Sequence, residues 1–148
     1  MAAESKSIGE TIFLSIPSHP KFISSVRALV TRVAAEMGFP EDEVRKLAIA
    51  IDEAYANIIE HAYKGDPAQK IDLTLKIAPD SIIVEIRDYG PKVKPETIHP
   101  RKLEDVRPGG LGTHFMTHCM DKVEFDTSLA TGTILRMVKH LPPEKKTG

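Results

Sequence analysis

Hydrophobic positions change their spacing several times along the chain, and each spacing predicts a different element. Residues 11–16 alternate between apolar and polar side chains, which is typical of a short strand. Residues 18–37 have apolar positions at helical spacing and end at Gly38, which predicts a helix with Ser18 as its N-cap. Residues 40–63 have the same spacing, begin with proline and acidic residues, and predict a second helix.

The second half of the chain reads mostly as strands. Residues 70–78 and 81–88 predict one hairpin, and residues 121–128 and 132–141 predict another. A short helix is expected over 111–120, before the second hairpin. The order β-α-α-β-β-loop-α-β-β predicts an α+β fold, a two-layer α/β sandwich whose mostly antiparallel sheet has helices on one face.

A proline- and glycine-rich stretch over 89–110 separates the two hairpins. Structureless connections of about twenty residues are uncommon in compact domains, where they are usually lids, binding loops or disordered segments. This stretch leads from a strand end to a glycine-rich helix start, so we expect a lid over about 91–110. The interpretation is one domain over residues 1–148, with a flexible tail from about 142 to 148.

Composition narrows the class of protein. The chain has 148 residues, 41% hydrophobic and 28% charged, which suits one folded globular domain. Its formal charge of −1 predicts no general attraction to nucleic acid or to a membrane surface. A single cysteine, Cys119, precludes an intrachain disulfide, and the N-terminus has no signal-peptide pattern. We therefore expect a cytoplasmic protein that binds its partners through a local site.

The second predicted helix has two stripes. Its apolar residues cluster on one face at about 100° per residue, and they are Val44, Leu47, Ile51, Tyr55, Ile58 and Ala62. Glu53, Asn57 and His61 follow each other at i, i+4 and point away from that face. A solvated surface explains such a stripe, but so does a metal–nucleotide site. An Asn oxygen is a hard ligand for Mg²⁺, and a Glu can accept a proton.

Two loops bear on this choice. Asp88 ends a strand and is followed by Gly90, so the carboxylate could bind an exocyclic amine while the glycine admits a flat base. An ordinary Asp-x-Gly turn is the alternative. Gly109, Gly110 and Gly112 open a helix, where free N–H groups and the helix dipole favour phosphate. A flexible hinge is the alternative there.

In combination, these segments resemble the ATPase superfamily of gyrase, Hsp90, histidine kinases and MutL. "EAYANIIEHAY" looks like its N box, "DYG" like its first glycine box and "GGLG" like its second. The small size, "MDKVEF" and the closing "TGT" resemble the anti-sigma-factor serine kinases of bacterial partner-switching systems. The resemblance covers residues from about 10 to 141 and implies a Bergerat-type ATP-binding fold.

The resemblance implies roles for particular residues. Glu53 matches the general base, Asn57 the Mg²⁺-coordinating asparagine, and Asp88, with Gly90 beside it, the aspartate that reads the adenine amino group. Thr133 matches a threonine that helps to hold the adenine. The second glycine box supplies the phosphate-binding segment, namely Gly110, Leu111, Gly112 and Thr113.

One departure from the superfamily pattern concerns the lid. Pro91 and Lys92 follow Gly90, where the superfamily often has another glycine, so the hinge of the lid is expected to be stiffer. The loop contains several cations, and Arg107, the nearest to the glycines, is the choice for contacting the γ-phosphate of ATP.

The resemblance also implies partners. Such kinases use ATP and Mg²⁺, bind a sigma factor, and phosphorylate a serine on a small anti-anti-sigma (STAS-type) protein. A homodimer is implied as well. The formal charge and the lack of an apolar run of about 20 residues separately predict no direct binding to nucleic acid and no membrane association. Two alternatives stay open: an ATP-binding interaction module without significant kinase activity, and a switch kinase that activates a phosphatase.

Overall fold

The structure, a computed structural model, describes residues 9–91 and 116–143. Two long α-helices and five strands lie within these ranges: β1 Glu10–Pro17, α1 Ile23–Met37, α2 Glu41–Asn57, β2 Lys70–Ile77, β3 Ser81–Asp88, β4 Lys122–Asp126 and β5 Thr133–His140. All strand pairs are antiparallel, and the sheet order is β1-β2-β3-β5-β4. The predicted α+β class is confirmed. Most of the predicted lid, 92–110, and the first half of the helix expected over 111–120 lie outside the described residues, and 116–119 are helical.

Alternation along the strands decides which face of the sheet meets the helices. The apolar residues of β2, β3 and β5 that point inward are buried with those of α1 and α2 in one core. β3 and β5 pair in register from Ser81 opposite His140 to Asp88 opposite Thr133. Asp88 and Thr133 therefore lie side by side at one end of the sheet. Within the described ranges, no helix is both long and apolar enough to cross a membrane.

The start of α1 differs from the prediction. Ser18 does not cap a helix, because its hydroxyl donates to the carbonyl of Asp66 (2.6 Å) and accepts from the N–H of Gln69 (3.1 Å). These two hydrogen bonds connect the end of β1 to the turn before β2. A short 3₁₀ turn over Pro20–Phe22 precedes α1, and its cap is His19. The predicted stop at Gly38 is confirmed, with the left-handed φ of 99° that glycine adopts easily.

The end of the second helix also differs from the prediction of one regular helix to residue 63. The α-helix ends at Asn57, and Ile58–Ala62 form a π turn. The Tyr63 N–H donates to the Ile58 carbonyl, five residues back (3.0 Å). The wider turn buries both Ile58 and its neighbour Ile59 but leaves His61 exposed. The imidazole of His61 lies 3.9 Å from the carboxylate of Glu60.

A buried lysine ties the first turn of α2 to β5. Lys139 is 2% exposed because it alternates inward with Leu135 and Met137. Its ammonium donates to the Cys119 carbonyl (2.7 Å) and lies 3.2 Å from a carboxylate oxygen of Glu43. These contacts satisfy a charge that would otherwise be costly to bury.

Candidate nucleotide-binding site

Asp88 is the centre of the candidate site. Its side chain is buried at the end of β3, with 6% of the residue exposed. Burial raises the pKa of this carboxyl, while hydrogen bonds from the backbone N–H groups of Gly90 and Thr133 oppose the rise. The Gly90 N–H lies 3.0 Å from Oδ1. Two backbone donors leave acceptor capacity on the carboxylate, so a ligand amine would find a partner there.

Thr133 lies beside Asp88 as the first residue of β5, and its hydroxyl oxygen is buried. No described residue forms a hydrogen bond with that oxygen. An unpartnered buried hydroxyl is unfavourable unless a ligand or water satisfies it. The pair combines an anionic acceptor with a hydroxyl that can donate or accept. This chemistry fits the amino group and ring nitrogens of adenine.

Two glycines are required for close packing around Asp88. A Cβ on Gly90 would lie 2.8 Å from the carbonyl oxygen of Ala62, in the π turn. A Cβ on Gly132 would overlap the carbonyl oxygen of Asp88 and lie 2.9 Å from the Cα of Tyr89. Gly132 also has a φ of +77°, which disfavours any other residue. Because Gly90 has no side chain, the end of β3 can pack against the π turn that follows α2.

The second helix, α2, contains two more of the predicted site residues. Glu53 and Asn57 are both half-buried and lie one turn apart on α2. The adjacent carboxylate, Asp52, is engaged by the guanidinium of Arg27 at 2.8 Å. Glu53 forms no ion pair with any described residue, which distinguishes it from its neighbour as a group able to accept a proton.

The structure thus brings Asp88, Gly90 and Thr133 together, and Gly90 joins them to the helix that contains Glu53 and Asn57. The phosphate-binding predictions, Arg107, Gly110, Leu111, Gly112 and Thr113, lie outside the described residues. Sequence reasoning gave no role to Gly132, although it lies in the quoted "TGT". A glycine in the turn before a strand is the available signal, since glycine is the default residue for positive φ and for close approach of the backbone.

Comparison with known proteins identifies the family of this chain. Residues 16–139 match the family of the histidine kinase-like ATPase domain. The serine-protein kinase RsbW of Bacillus subtilis is 28% identical over 95% of this chain and 91% of its own length. RsbW of Oceanobacillus iheyensis is 30% identical over 90% and 89%. In fold, the chain is similar to the solved RsbU and RsbW domains of Rv1364c from Mycobacterium tuberculosis (TM-score 0.66, 16% identity), covering 94% of this chain and 35% of that one.

The match over most of the chain defines a histidine kinase-like ATPase domain. More narrowly, the chain belongs to the RsbW family of serine-protein kinases. The resemblance to the anti-sigma-factor kinases inferred from the sequence motifs is confirmed.

Replacing Gly132 by alanine tests the close packing under Asp88. We expect Gly132→Ala to lower the free energy of unfolding by about 3 kcal/mol or more, because backbone strain and overpacking add. Gly65→Ala is the matched control: its φ is +82°, but a Cβ there meets nothing within 4 Å. The control should lose about 1–2 kcal/mol from strain alone. Equal losses in urea denaturation would contradict the contact.

Proposed function

We propose that this protein is an ATP- and Mg²⁺-dependent serine-protein kinase that phosphorylates an anti-anti-sigma partner and also sequesters a sigma factor. Membership of the RsbW family supports the kinase class. The site residues have chemistry suited to each part of the reaction. The protein is proposed to act in the cytoplasm and to bind no nucleic acid directly.

The adenine end of the site supports this function most strongly. The buried Asp88 carboxylate retains acceptor capacity, and Thr133 contributes a buried hydroxyl that lacks a partner among the described residues. The amino group of adenine would donate a hydrogen bond to the Asp88 carboxylate, and Gly90 would allow the flat base to approach the backbone. Guanine has a carbonyl oxygen at that position, which a carboxylate repels.

The catalytic end lies on α2. Asn57 would coordinate Mg²⁺ through its amide oxygen, and the metal would neutralise charge on the phosphates. We assign the triphosphate contacts to the glycine box, Gly110 to Thr113, and to Arg107. Glu53 is proposed as the general base.

The proposed reaction is an in-line phosphoryl transfer. The serine oxygen of the partner forms a bond to the γ-phosphorus, and the bond from that phosphorus to the β–γ bridging oxygen breaks. ADP leaves with the bond's electron pair, and the serine proton passes to Glu53. Phosphoserine and ADP are the products, so no further reactant is needed.

Two other functions share this site. In an interaction module, the ATP pocket would stay and phosphotransfer would be lost. In a switch kinase, this protein would itself bind and activate a phosphatase, and it would bind no sigma factor. Co-purification from a native lysate separates the last case, because the captured protein would be a phosphatase and not a sigma factor.

Replacing Glu53 by glutamine tests the kinase assignment. We expect Glu53→Gln to lower the rate of phosphotransfer to a purified STAS-type protein by about 10²–10⁴-fold, because the amide cannot accept the proton. ATP affinity should change little. Asp52→Asn is the matched control, since it removes the adjacent carboxylate and should leave the rate nearly unchanged. Full-rate transfer by Glu53→Gln would contradict the assignment, and a wild type without transfer would favour the interaction module.

The outer face of the sheet supports a homodimer. Both helices pack on the opposite face, and no described segment covers Phe13, which is 64% exposed on the edge strand β1. An aromatic side chain exposed on an edge strand is a common element of an interface. We propose that a second copy of this chain covers it.

A charged residue at this position tests the dimer. Phe13→Asp should convert the protein to a monomer in sedimentation velocity, because a carboxylate cannot be buried without a partner. Ile49→Asp is the control, since Ile49 is the other exposed large hydrophobic residue in the described part of the chain and lies on α2. A Phe13→Asp variant that keeps the wild-type sedimentation coefficient of a dimer would refute this interface. So would a wild type that is monomeric.

A further inference from the structure

The hydroxyl of Tyr63 joins three parts of the fold next to the candidate adenine site. Tyr63 follows the π turn and is buried. Its hydroxyl donates to the Lys70 carbonyl at the start of β2 (2.5 Å). The same oxygen accepts from the backbone N–H of Tyr89, directly after β3 (2.7 Å). One hydroxyl thus satisfies a carbonyl and an N–H at once.

Tyr89 is held at its other end too. Its hydroxyl donates to a carboxylate oxygen of Asp72 at 2.5 Å. The ammonium of Lys70 and the guanidinium of Arg87 each lie 4.7 Å from the centre of its ring. Cations at this distance from an aromatic face are attracted to it. The backbone and the side chain of Tyr89 are therefore both fixed.

These contacts bear on Asp88, which lies one residue before Tyr89. Gly90, the residue after Tyr89, donates a hydrogen bond from its N–H to the Asp88 carboxylate. The Tyr63 hydroxyl therefore holds the middle of the three-residue segment that presents this carboxylate. Only a group that donates and accepts can bridge the Lys70 carbonyl and the Tyr89 N–H.

We propose that Tyr63 is a positioning residue that sets the base selectivity of the nucleotide site by fixing the backbone at Tyr89. The inference rests on the proposed function, in which Asp88 binds the adenine amino group. Without the hydroxyl, the Tyr89 N–H loses its partner and the segment shifts. A shift of a few tenths of an ångström weakens a directional hydrogen bond to the base but hardly affects contacts elsewhere on the nucleotide.

The test compares the affinities for ATP and ITP, which has a carbonyl oxygen in place of the adenine amino group. We expect Tyr63→Phe to reduce the preference for ATP over ITP by about tenfold, since one hydrogen bond to the base weakens. ITP binding should change by less than about threefold on the same basis. Tyr55→Phe is the matched control, because its buried hydroxyl has no hydrogen-bond partner among the described residues. It should leave the preference unchanged.

Asp88→Asn serves as the reference for the site itself. The Asn oxygen would still accept the hydrogen bond from the Gly90 N–H, and the amide nitrogen would face the base. Because that nitrogen is a donor, it favours the carbonyl oxygen of ITP, and the preference should shift towards ITP. If Asp88→Asn retains the wild-type preference, Asp88 does not read the base and the proposed adenine site fails. If Asp88→Asn loses the preference but Tyr63→Phe keeps it, only the positioning role is refuted.

If Tyr63 had only a structural role, Tyr63→Phe would weaken the binding of ATP and of ITP by the same factor. That result would also refute the proposal. If Tyr63→Phe does not fold in buffer alone, the titrations of all variants are repeated in sucrose, which favours the folded state. Tyr89→Phe is a second control, because it removes the contact with Asp72 and keeps the Tyr63 bond to the backbone. It should keep most of the preference, and a loss as large as that of Tyr63→Phe would refute the assignment to the Tyr63 hydroxyl.

Discussion

The candidate site depends on a steric constraint at the end of the sheet. The carbonyl of Asp88 occupies the space in which any side chain at Gly132 would lie, and Gly90 packs equally closely on Ala62. These two contacts set how near β5 and the π turn approach the end of β3. Because backbone atoms make both contacts, no change of rotamer can relieve a clash there. The position of the Asp88 carboxylate follows from this packing.

The π turn is the feature that brings the second helix into the site. Its residues Ile58 and Ile59 are buried, and Tyr63, which follows it, bonds to Lys70 at the start of β2 and to Tyr89. π turns inside helices are often found at functional sites. Here the turn directly follows the proposed catalytic residues, and its last residue, Ala62, makes the contact with Gly90.

Much of this architecture could be predicted from the sequence. Alternation and helical spacing gave the strands and helices, and the motif at 88–90 gave Asp88 and Gly90, because these signals are local. The π turn was missed, since the apolar pair at 58 and 59 fits either an α-helix or a wider turn until the core is known. Ser18 was misassigned because its partners, Asp66 and Gln69, are distant in sequence. The hydrogen bond between Tyr63 and Tyr89 also joins residues that are distant in sequence.

The most direct test of the nucleotide site is a calorimetric titration of ATP, with and without Mg²⁺, on the wild type and on Asn57→Ala. The account predicts that binding to the wild type requires Mg²⁺. It also predicts that the variant binds at least about tenfold more weakly, as expected when a metal-coordinating group is lost. Binding of equal strength with and without Mg²⁺, or equal affinity in the variant, would contradict the assignment of Asn57. An absence of binding to the wild type would contradict the site as a whole.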